Sequence, residues 1–181
     1  FMVPSTIDLS GAEIELVNME EREYKLQQAL AEIPTGFDYV LIDCPPSLSL
    51  LTVNALAASD TVLIPLQCEF YALEGLSHLL KTVKLIRTHL NPKLTIHGVI
   101  LTMYDRRNRL TEHIEADVRS FLGDEVYKTV IPRNVRMSEA PSHGKPAIVY
   151  DMKCAGSQAY LHLAREIIQR EKKLTAQKTA A

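Results

Sequence analysis

The stretch Phe37-Asp38-Tyr39-Val40-Leu41-Ile42-Asp43-Cys44-Pro45-Pro46 decides the fold class that this sequence predicts. Its apolar run from Tyr39 to Ile42 contains β-branched residues and no polar alternation, which predicts a strand covered on both faces inside a parallel sheet. Asp43 then stands at the carboxyl end of the strand, where ligands bind in open α/β sheets. A carboxylate there can hold a magnesium ion, or its water, against a nucleotide phosphate. The motif alone is equally compatible with an acid that ends a strand and caps the next helix.

Outward from this stretch, apolar strand patterns alternate with amphipathic helix patterns. Further strands are predicted at 61–65, 94–102 and 126–131, and helices at 26–33, 50–58, 76–90, 110–122 and 160–168. A polar connection is expected over 5–13, and a polar loop over 133–146. The alternation predicts βαβ units with right-handed crossovers. We therefore predict one doubly wound α/β domain over 1–171, a mostly parallel sheet with helices on both faces, followed by a frayed polar tail over 172–181.

Composition and charge exclude several classes of protein. The 181 residues are 46% hydrophobic and carry a formal net charge of -2, which is ordinary for a soluble globular protein. No apolar run approaches the roughly 18 residues of a membrane span. Because the net charge is slightly negative, any contact with nucleic acid requires a local basic patch. Cys44, Cys68 and Cys154 form no Cys-x-x-Cys pair. This favours a protein of the reducing cytosol and argues against a zinc site.

Four segments, in their order and spacing, carry a resemblance to a known family. They are Ile7-Asp8-Leu9-Ser10-Gly11-Ala12-Glu13, the run from Asp38 to Leu48, Thr102-Met103-Tyr104-Asp105, and Ile131-Pro132-Arg133-Asn134-Val135-Arg136-Met137-Ser138-Glu139-Ala140-Pro141-Ser142-His143-Gly144-Lys145-Pro146. Together they resemble the ParA/Soj chromosome- and plasmid-partition ATPases, from about the first residue to Arg170. The long last segment separates this group from related nucleotide-binding proteins.

The resemblance implies a P-loop NTPase-like fold and a deviant P-loop ATPase. In that family ATP and Mg2+ drive homodimerisation, the dimer binds double-stranded DNA without sequence preference, and a ParB-type centromere-binding protein stimulates hydrolysis. Carried onto this sequence, the resemblance makes Asp43 the Walker B acid beside magnesium. It makes Cys44, Pro45 and Pro46 the switch segment that follows. A cytoplasmic, nucleoid-associated location is implied as well.

The later segments match two other functional regions of the family. Met103 and Pro132 match the two sides of the adenine pocket, with Arg133 and Asn134 on the adenine side. Arg107 and Arg136 match DNA-contacting positions, and Arg106 adjoins the first of them. From the residues alone, Met103 is more typical of a core methionine at a strand end, and the arginines of the turn are more typical of solvated side chains.

One departure from the family pattern affects the expected activity. Members carry a glycine-rich phosphate loop with a lysine, whereas this chain has 7 glycines and no Gly-Lys-Thr or Gly-Lys-Ser. The opening Phe1-Met2-Val3-Pro4 is typical of the end of a buried strand. We therefore expect an amino-terminally truncated portion of such an ATPase, which by itself binds no nucleotide and hydrolyses no ATP.

Two alternative functions stay open on the sequence. One is a non-enzymatic, self-associating or partner-binding module of the same fold. The other is a membrane-associated relative that positions the division site. The tail over 172–181 carries one leucine among lysines, threonines and alanines, too little apolar surface for a membrane-binding helix, so no membrane contact is expected. Ser47 is expected to cap the helix over 50–58.

Overall fold

The computed structural model describes residues 2–33, 36–45 and 47–179. Two neighbouring strands, β1 (Thr61–Gln67) and β2 (Thr95–Thr102), are joined by the long helix α4 (Ala72–His89). Parallel bridges from Val99 to Val126 and from Tyr104 to Pro132 extend β2 on its other side. The predicted α/β class is confirmed: the protein has a parallel sheet with helices on both sides.

The remaining helices lie before, between and after these elements. They are α1 (Leu9–Glu15), α2 (Lys25–Ala31), α3 (Leu50–Ala58), α5 (Arg109–Leu122), α6 (Val135–Glu139), α7 (Ala147–Tyr150) and α8 (Ala155–Thr179). Single 3-10 turns occupy Leu16–Asn18, Arg22–Tyr24, Gly123–Glu125 and Ala140–His143. Among the described residues, none of these helices is both long enough and apolar enough to cross a bilayer.

The helices that follow strong periodic patterns form where they were predicted, and polar side chains set their ends. The Ser49 hydroxyl, two residues beyond the predicted cap Ser47, accepts from the Thr52 N–H at 3.4 Å and begins α3. At the other end of α3, the Asn91 amide donates to the carbonyls of Leu56 and Ser59 at 3.1 and 2.7 Å. Asn108 caps α5 through the Leu110 N–H. Each cap satisfies backbone groups that the helix itself leaves open.

The chain divides into two compact units. The first comprises the chain up to Val62 together with His78–Ile96, and the second comprises Leu63–Ser77 together with the chain from His97 onward. Each unit has its own buried cluster. The cluster of the first is Leu56, Val83, Ile86 and Leu94, and that of the second is Ile100, Tyr127, Ile131 and Leu163.

The prediction of a buried strand over 39–42 is wrong for the described structure. Residues 36–45 form no strand, and the side chains of Val40 and Leu41 are exposed, Leu41 to 88%. A central strand is stable only when neighbouring strands pair with its backbone and other layers cover both faces. These apolar side chains have no such cover here, so their pattern alone does not produce a strand.

Several smaller expectations also differ from the structure. The connection over 5–13 contains most of α1, and the loop over 133–146 contains α6 and a 3-10 turn. The stretch 126–131 makes a bridge at Val126 but forms no continuous strand. Phe121 is 72% exposed rather than inward, and Tyr160, Ala164 and Ile168 on α8 are also exposed. Met2 and Val3 are exposed and form no strand.

The segment predicted to be a frayed tail is largely part of a helix. The described chain stays helical through Thr179, so α8 continues well past residue 171. A polar segment becomes helical more readily when it continues a helix that is already packed, because elongation costs far less free energy than nucleation. Leu163 supplies that packing within α8.

Candidate functional site

A pocket opens at the carboxyl end of β2, entirely within the second unit. Its volume is about 440 Å3, within the range of small-molecule sites. It is lined by Met103, Tyr104, Asp105, Arg107, Arg133, Asn134, Val135 and Ser138. The carboxyl ends of parallel strands are where α/β proteins place their ligands, so the pocket lies at the edge where the sequence predicts a site.

Backbone hydrogen bonds bring the two sides of this pocket together. The Ile131 N–H donates to the Leu101 carbonyl at 2.8 Å, and the Tyr104 N–H donates to the Ile131 carbonyl at 3.0 Å. The Arg133 N–H then donates back to the Tyr104 carbonyl at 3.0 Å. This parallel register places the residues after Pro132 directly beside the end of β2.

Met103 stands in a backbone conformation that non-glycine residues rarely adopt. Its φ is 51°, in the left-handed region, at the point where β2 ends. Such residues cost free energy and persist where the surrounding structure holds them, often at ligand sites. Here the hydrogen bonds of Tyr104, the next residue, hold the turn, and the Met103 side chain lies at the pocket, partly exposed.

The opposite side of the pocket is the start of α6. The Asn134 side-chain oxygen accepts from the Arg136 N–H at 2.9 Å and so caps this helix. Close packing against α8 sets its position: a Cβ added to Gly156 would meet Met137 Cγ at 2.5 Å and Asn134 Cβ at 3.4 Å. A glycine at 156 therefore allows α8 to approach the pocket wall closely.

An ion pair organises the charged rim of the pocket. Arg107 Nε and Nη2 donate to the two Asp105 carboxylate oxygens at 3.0 and 2.8 Å, and the Arg107 N–H donates to the same carboxylate at 3.0 Å. These hydrogen bonds, helped by the charge of nearby Arg133, lower the pKa of Asp105 to about 2. The Arg107 side chain nevertheless stays 88% exposed, so the pair fixes its direction without covering it.

Tyr104 is held from behind by α5. Its hydroxyl donates to Glu115, whose carboxylate also accepts from Arg119 Nε at 2.7 Å. The hydrogen bond to Glu115 raises the pKa of Tyr104 to about 12, so the hydroxyl keeps its proton near neutral pH. Burial alone would raise the pKa of Glu115, but the hydrogen bonds from Tyr104 and Arg119 outweigh it and lower that pKa. The pocket wall is thus anchored by a connected polar group.

A second arginine group lies just beyond the pocket on α6. Arg136 Nη1 donates to Glu139 Oε2 at 2.8 Å, and its Nε lies 3.7 Å from an Asp151 carboxylate oxygen. Tyr150 donates to the same Glu139 oxygen at 3.2 Å. The hydrogen bond from Arg136 lowers the pKa of Glu139. The Arg136 side chain is 55% exposed, which is less than Arg107.

The predicted magnesium acid, Asp43, lies in the first unit. Asp43, Cys44 and Pro45 are exposed, and the Cys44 thiol lies 3.7 Å from the Ile42 carbonyl. Pro46, which the resemblance assigns to the same switch segment, lies outside the described residues. Across the described ranges, histidine, cysteine and acidic side chains form no group of three or more suited to a metal. Magnesium in nucleotide sites is commonly held by one or two carboxylates together with phosphates and water.

The structure brings together four of the predicted residues. Met103, Arg107, Arg133 and Asn134 line one pocket, and Pro132 bridges to Tyr104 beside it. Arg136 follows the pocket wall along α6, and Arg106 is exposed next to Arg107. Whether these residues act on adenine or DNA stays a prediction.

The sequence motifs did not single out four residues that line the pocket, Tyr104, Asp105, Val135 and Ser138. A signal for them was present in two of the resembling segments, which contain all four residues. Their roles as wall and rim depend on the parallel register and on the ion pair with Arg107, and neither is visible in a linear motif.

The chain matches the family model described as an AAA domain over residues 1–96. It is 60% identical over 173 residues to the chromosome partitioning protein ParA of Caulobacter vibrioides, covering 94% of this chain and 65% of that protein. It is 53% identical over 171 residues to the chromosome-partitioning ATPase Soj of Treponema pallidum, covering 94% and 68%. The chain thus spans about two-thirds of the length of these curated relatives.

Among solved structures, cobyrinic acid a,c-diamide synthase of Mycobacterium smegmatis, with bound ADP and magnesium, is similar at a TM-score of 0.77 and 36% identity. The match covers 93% of this chain and 62% of that one. These neighbours confirm the predicted P-loop NTPase-like fold. The sequence relatives confirm the predicted family as well, at 50–60% identity over most of the chain. The chain therefore belongs to the ParA/Soj family of chromosome partitioning ATPases.

Proposed function

We propose that this chain is part of a partition ATPase, in which ATP binding and hydrolysis switch a homodimer on and off non-specific DNA during chromosome or plasmid segregation. The observation that carries the proposal is the pocket at the end of β2, where Met103, Arg133 and Asn134 meet. The same three residues are those that the family resemblance assigns to the adenine side. Relatives described as partition proteins at 53–60% identity support the same function.

The donor chemistry of the pocket fits a nucleotide. The Met103 thioether offers a polarizable contact for a flat base, and the Asn134 side-chain amide offers a polar partner beside it. Pro132 closes the strand end next to Tyr104. A rim containing Arg107 and Arg133 makes the opening favourable for an anion. The chain contains no phosphate-loop lysine motif. In this proposal its own residues contact the base of the nucleotide.

In this proposal Asp43 is the acid on the magnesium side, acting through a metal-bound water. Asp43 would hold a magnesium ion there, and the ion would supply charge neutralisation at the phosphates while the terminal phosphoryl group passes from ADP to water. The exposed carboxylate of Asp43 is accessible for that role, and Cys44, Pro45 and Pro46 follow it as the segment that responds to the nucleotide. A ParB-type partner and a location in the cytoplasm on the nucleoid belong to the same proposal.

The DNA-binding part of the proposal rests on Arg106, Arg107 and Arg136. All three are exposed, so their guanidinium groups can reach phosphates. Contacts to phosphates position a protein on DNA without reading its sequence, and they weaken as salt concentration rises. Dimerisation doubles such a patch, which gives an ATP-controlled dimer a large gain in avidity.

The test is ATP hydrolysis by the full-length protein, measured as phosphate release with magnesium and DNA present. Asp43→Asn should reduce turnover by about tenfold or more, since loss of a metal-orienting group typically has that effect. Asp38→Asn is the matched control, because it removes the same charge from another exposed position of the same segment. Turnover that survives Asp43→Asn at the level of the control would contradict the assigned role.

A further inference from the structure

The two arginines proposed to contact DNA are both paired with carboxylates, but in different ways. Arg107 makes a two-pronged ion pair with Asp105, and its side chain remains 88% exposed. A guanidinium has five N–H donors, and this pair engages one edge of the fork. Asp105 therefore aims Arg107 outward and leaves most of the group open to a phosphate.

Arg136 is held on two sides instead. Glu139 accepts from its Nη1, and an Asp151 oxygen lies close to its Nε. Local structure positions both acids: Tyr150 donates to Glu139, and the Lys153 and Cys154 N–H groups donate to Asp151 at 3.1 Å. One positive and two negative charges thus share this site, so the local field disfavours an approaching phosphate.

We infer that Glu139, supported by Tyr150 and Asp151, is a built-in competitor for the phosphate that Arg136 would bind, and that it limits the strength of non-specific DNA binding. A phosphate that approaches Arg136 meets the negative charges of both Glu139 and Asp151, whereas one that approaches the more exposed Arg107 meets Asp105 alone among the described residues. The inference rests on the proposed function, since it concerns the same DNA surface. It adds that Glu139 weakens DNA binding at this surface, which the proposed function does not require.

The test measures binding of the full-length protein to short labelled duplexes of two unrelated sequences by fluorescence anisotropy, with ATP and Mg2+, over a series of salt concentrations. Glu139→Gln keeps the shape of the side chain and removes its charge. It should tighten binding to both duplexes by about two- to fivefold, the range set by a partly exposed ion pair. The gain should shrink as the salt concentration rises, because salt screens the charge that the substitution removes.

Three variants separate local competition from net charge and folding. Asp117→Asn on α5 changes the net charge by the same amount as Glu139→Gln. It should therefore change the affinity for DNA only by the small effect of net charge. Glu139→Asp keeps the charge but shortens the reach to Arg136, so it should give a smaller gain than Glu139→Gln. In the Arg136→Ala background, Glu139→Gln should give no gain. Thermal unfolding of every variant checks that each is folded.

The outcomes distinguish this inference from the proposed function. A gain from Glu139→Gln no larger than that from Asp117→Asn, or one that persists without Arg136, overturns the inference alone. If Arg136→Ala weakens binding while Glu139→Gln has no effect, DNA contact stands and the competition is refuted. If the wild-type protein does not bind duplex DNA with ATP present, both the proposed function and the inference fall.

Discussion

The segment over 36–45 and the pocket at the end of β2 were both identified from short motifs, but they differ in burial and in backbone hydrogen bonding. In the pocket, Leu101 and Ile131 are buried beneath the functional residues, and parallel backbone hydrogen bonds connect the two sides. In the segment around Asp43, Tyr39, Val40 and Leu41 are exposed and residues 36–45 form no strand. A motif can therefore identify functional residue types without determining their conformation, because conformation depends on cover supplied by other parts of the molecule.

The largest expected effect comes from one substitution made in both regions. Leu101 is 0% exposed on β2, so Leu101→Ala should destabilise the protein by about 3 kcal/mol through lost burial and a residual cavity. Leu41→Ala removes the same atoms from a side chain that is 88% exposed, and should change the free energy of unfolding by less than about 0.5 kcal/mol.

Chemical denaturation followed by circular dichroism measures both free energies, provided that each variant unfolds in one cooperative transition. Equal losses for the two variants would mean that the segment is covered in solution, and the contrast between the regions would then disappear.

A smaller effect is expected from the hydrogen bond behind the pocket. Tyr104→Phe removes the hydroxyl that donates to Glu115 and should cost about 1 kcal/mol of stability. Tyr71→Phe, on an exposed tyrosine, is the control and should change stability by less than about 0.5 kcal/mol.

The loss of stability in Tyr104→Phe should depend on pH. The pKa of Glu115 is lowered in the folded state, so its stabilising contribution is present above its ordinary pKa of 4.5 and is lost as pH falls below that value. Since Tyr104 contributes to this lowering, the difference in stability between wild type and Tyr104→Phe should shrink in acid. A difference that stays constant from neutral pH to well below 4.5 would show that Glu115 does not carry the effect.

The next expected effect is a loss of DNA affinity when an arginine of the proposed DNA surface is replaced. Arg107→Ala or Arg136→Ala in the full-length protein should weaken duplex binding about equally for all sequences and reduce the salt slope by about one unit. Arg107→Lys keeps the charge and should retain most of the affinity, although it loses the two-pronged geometry. An effect confined to one DNA sequence would contradict a phosphate contact.

The smallest effect is a local titration. The Asp105 carboxylate has a pKa of about 2 because Arg107 donates hydrogen bonds to it, so the pair should persist at pH 4 and be lost as pH falls toward 2. In Arg107→Ala the pKa should return toward its ordinary value of 3.8. Carboxyl NMR titration measures both values, and an unchanged midpoint in the variant would show that Arg107 is not the cause.

The helices were the most predictable elements of the fold. Patterns around Val83 and Ile114 are strongly periodic, and the helices formed there bury these residues. The errors concern side chains whose partners are distant in sequence. Phe121 has the right spacing to face inward but is exposed, and α6 forms in a segment whose proline and polar residues are typical of a loop.

The candidate site was predictable as a set of residue types, and less so as an arrangement. Met103 comes from one motif and Arg133 and Asn134 from another, and the pocket that joins them depends on the parallel bridge at Tyr104 and Pro132. The contribution of Tyr104 depends on Glu115, eleven residues away on α5. Pairings of this kind leave no periodic signal in a single sequence.

By itself, the sequence determined most of the helices, the strands β1 and β2, the family and the identity of the candidate residues, because periodicity and short motifs are local properties of the chain. Only the tertiary structure decided which apolar segments are covered, how Met103 and Asn134 come to share a pocket, and which carboxylates hold Arg107 and Arg136. Burial and ion pairing depend on contacts between residues far apart in the sequence, and those contacts exist only once the chain has folded.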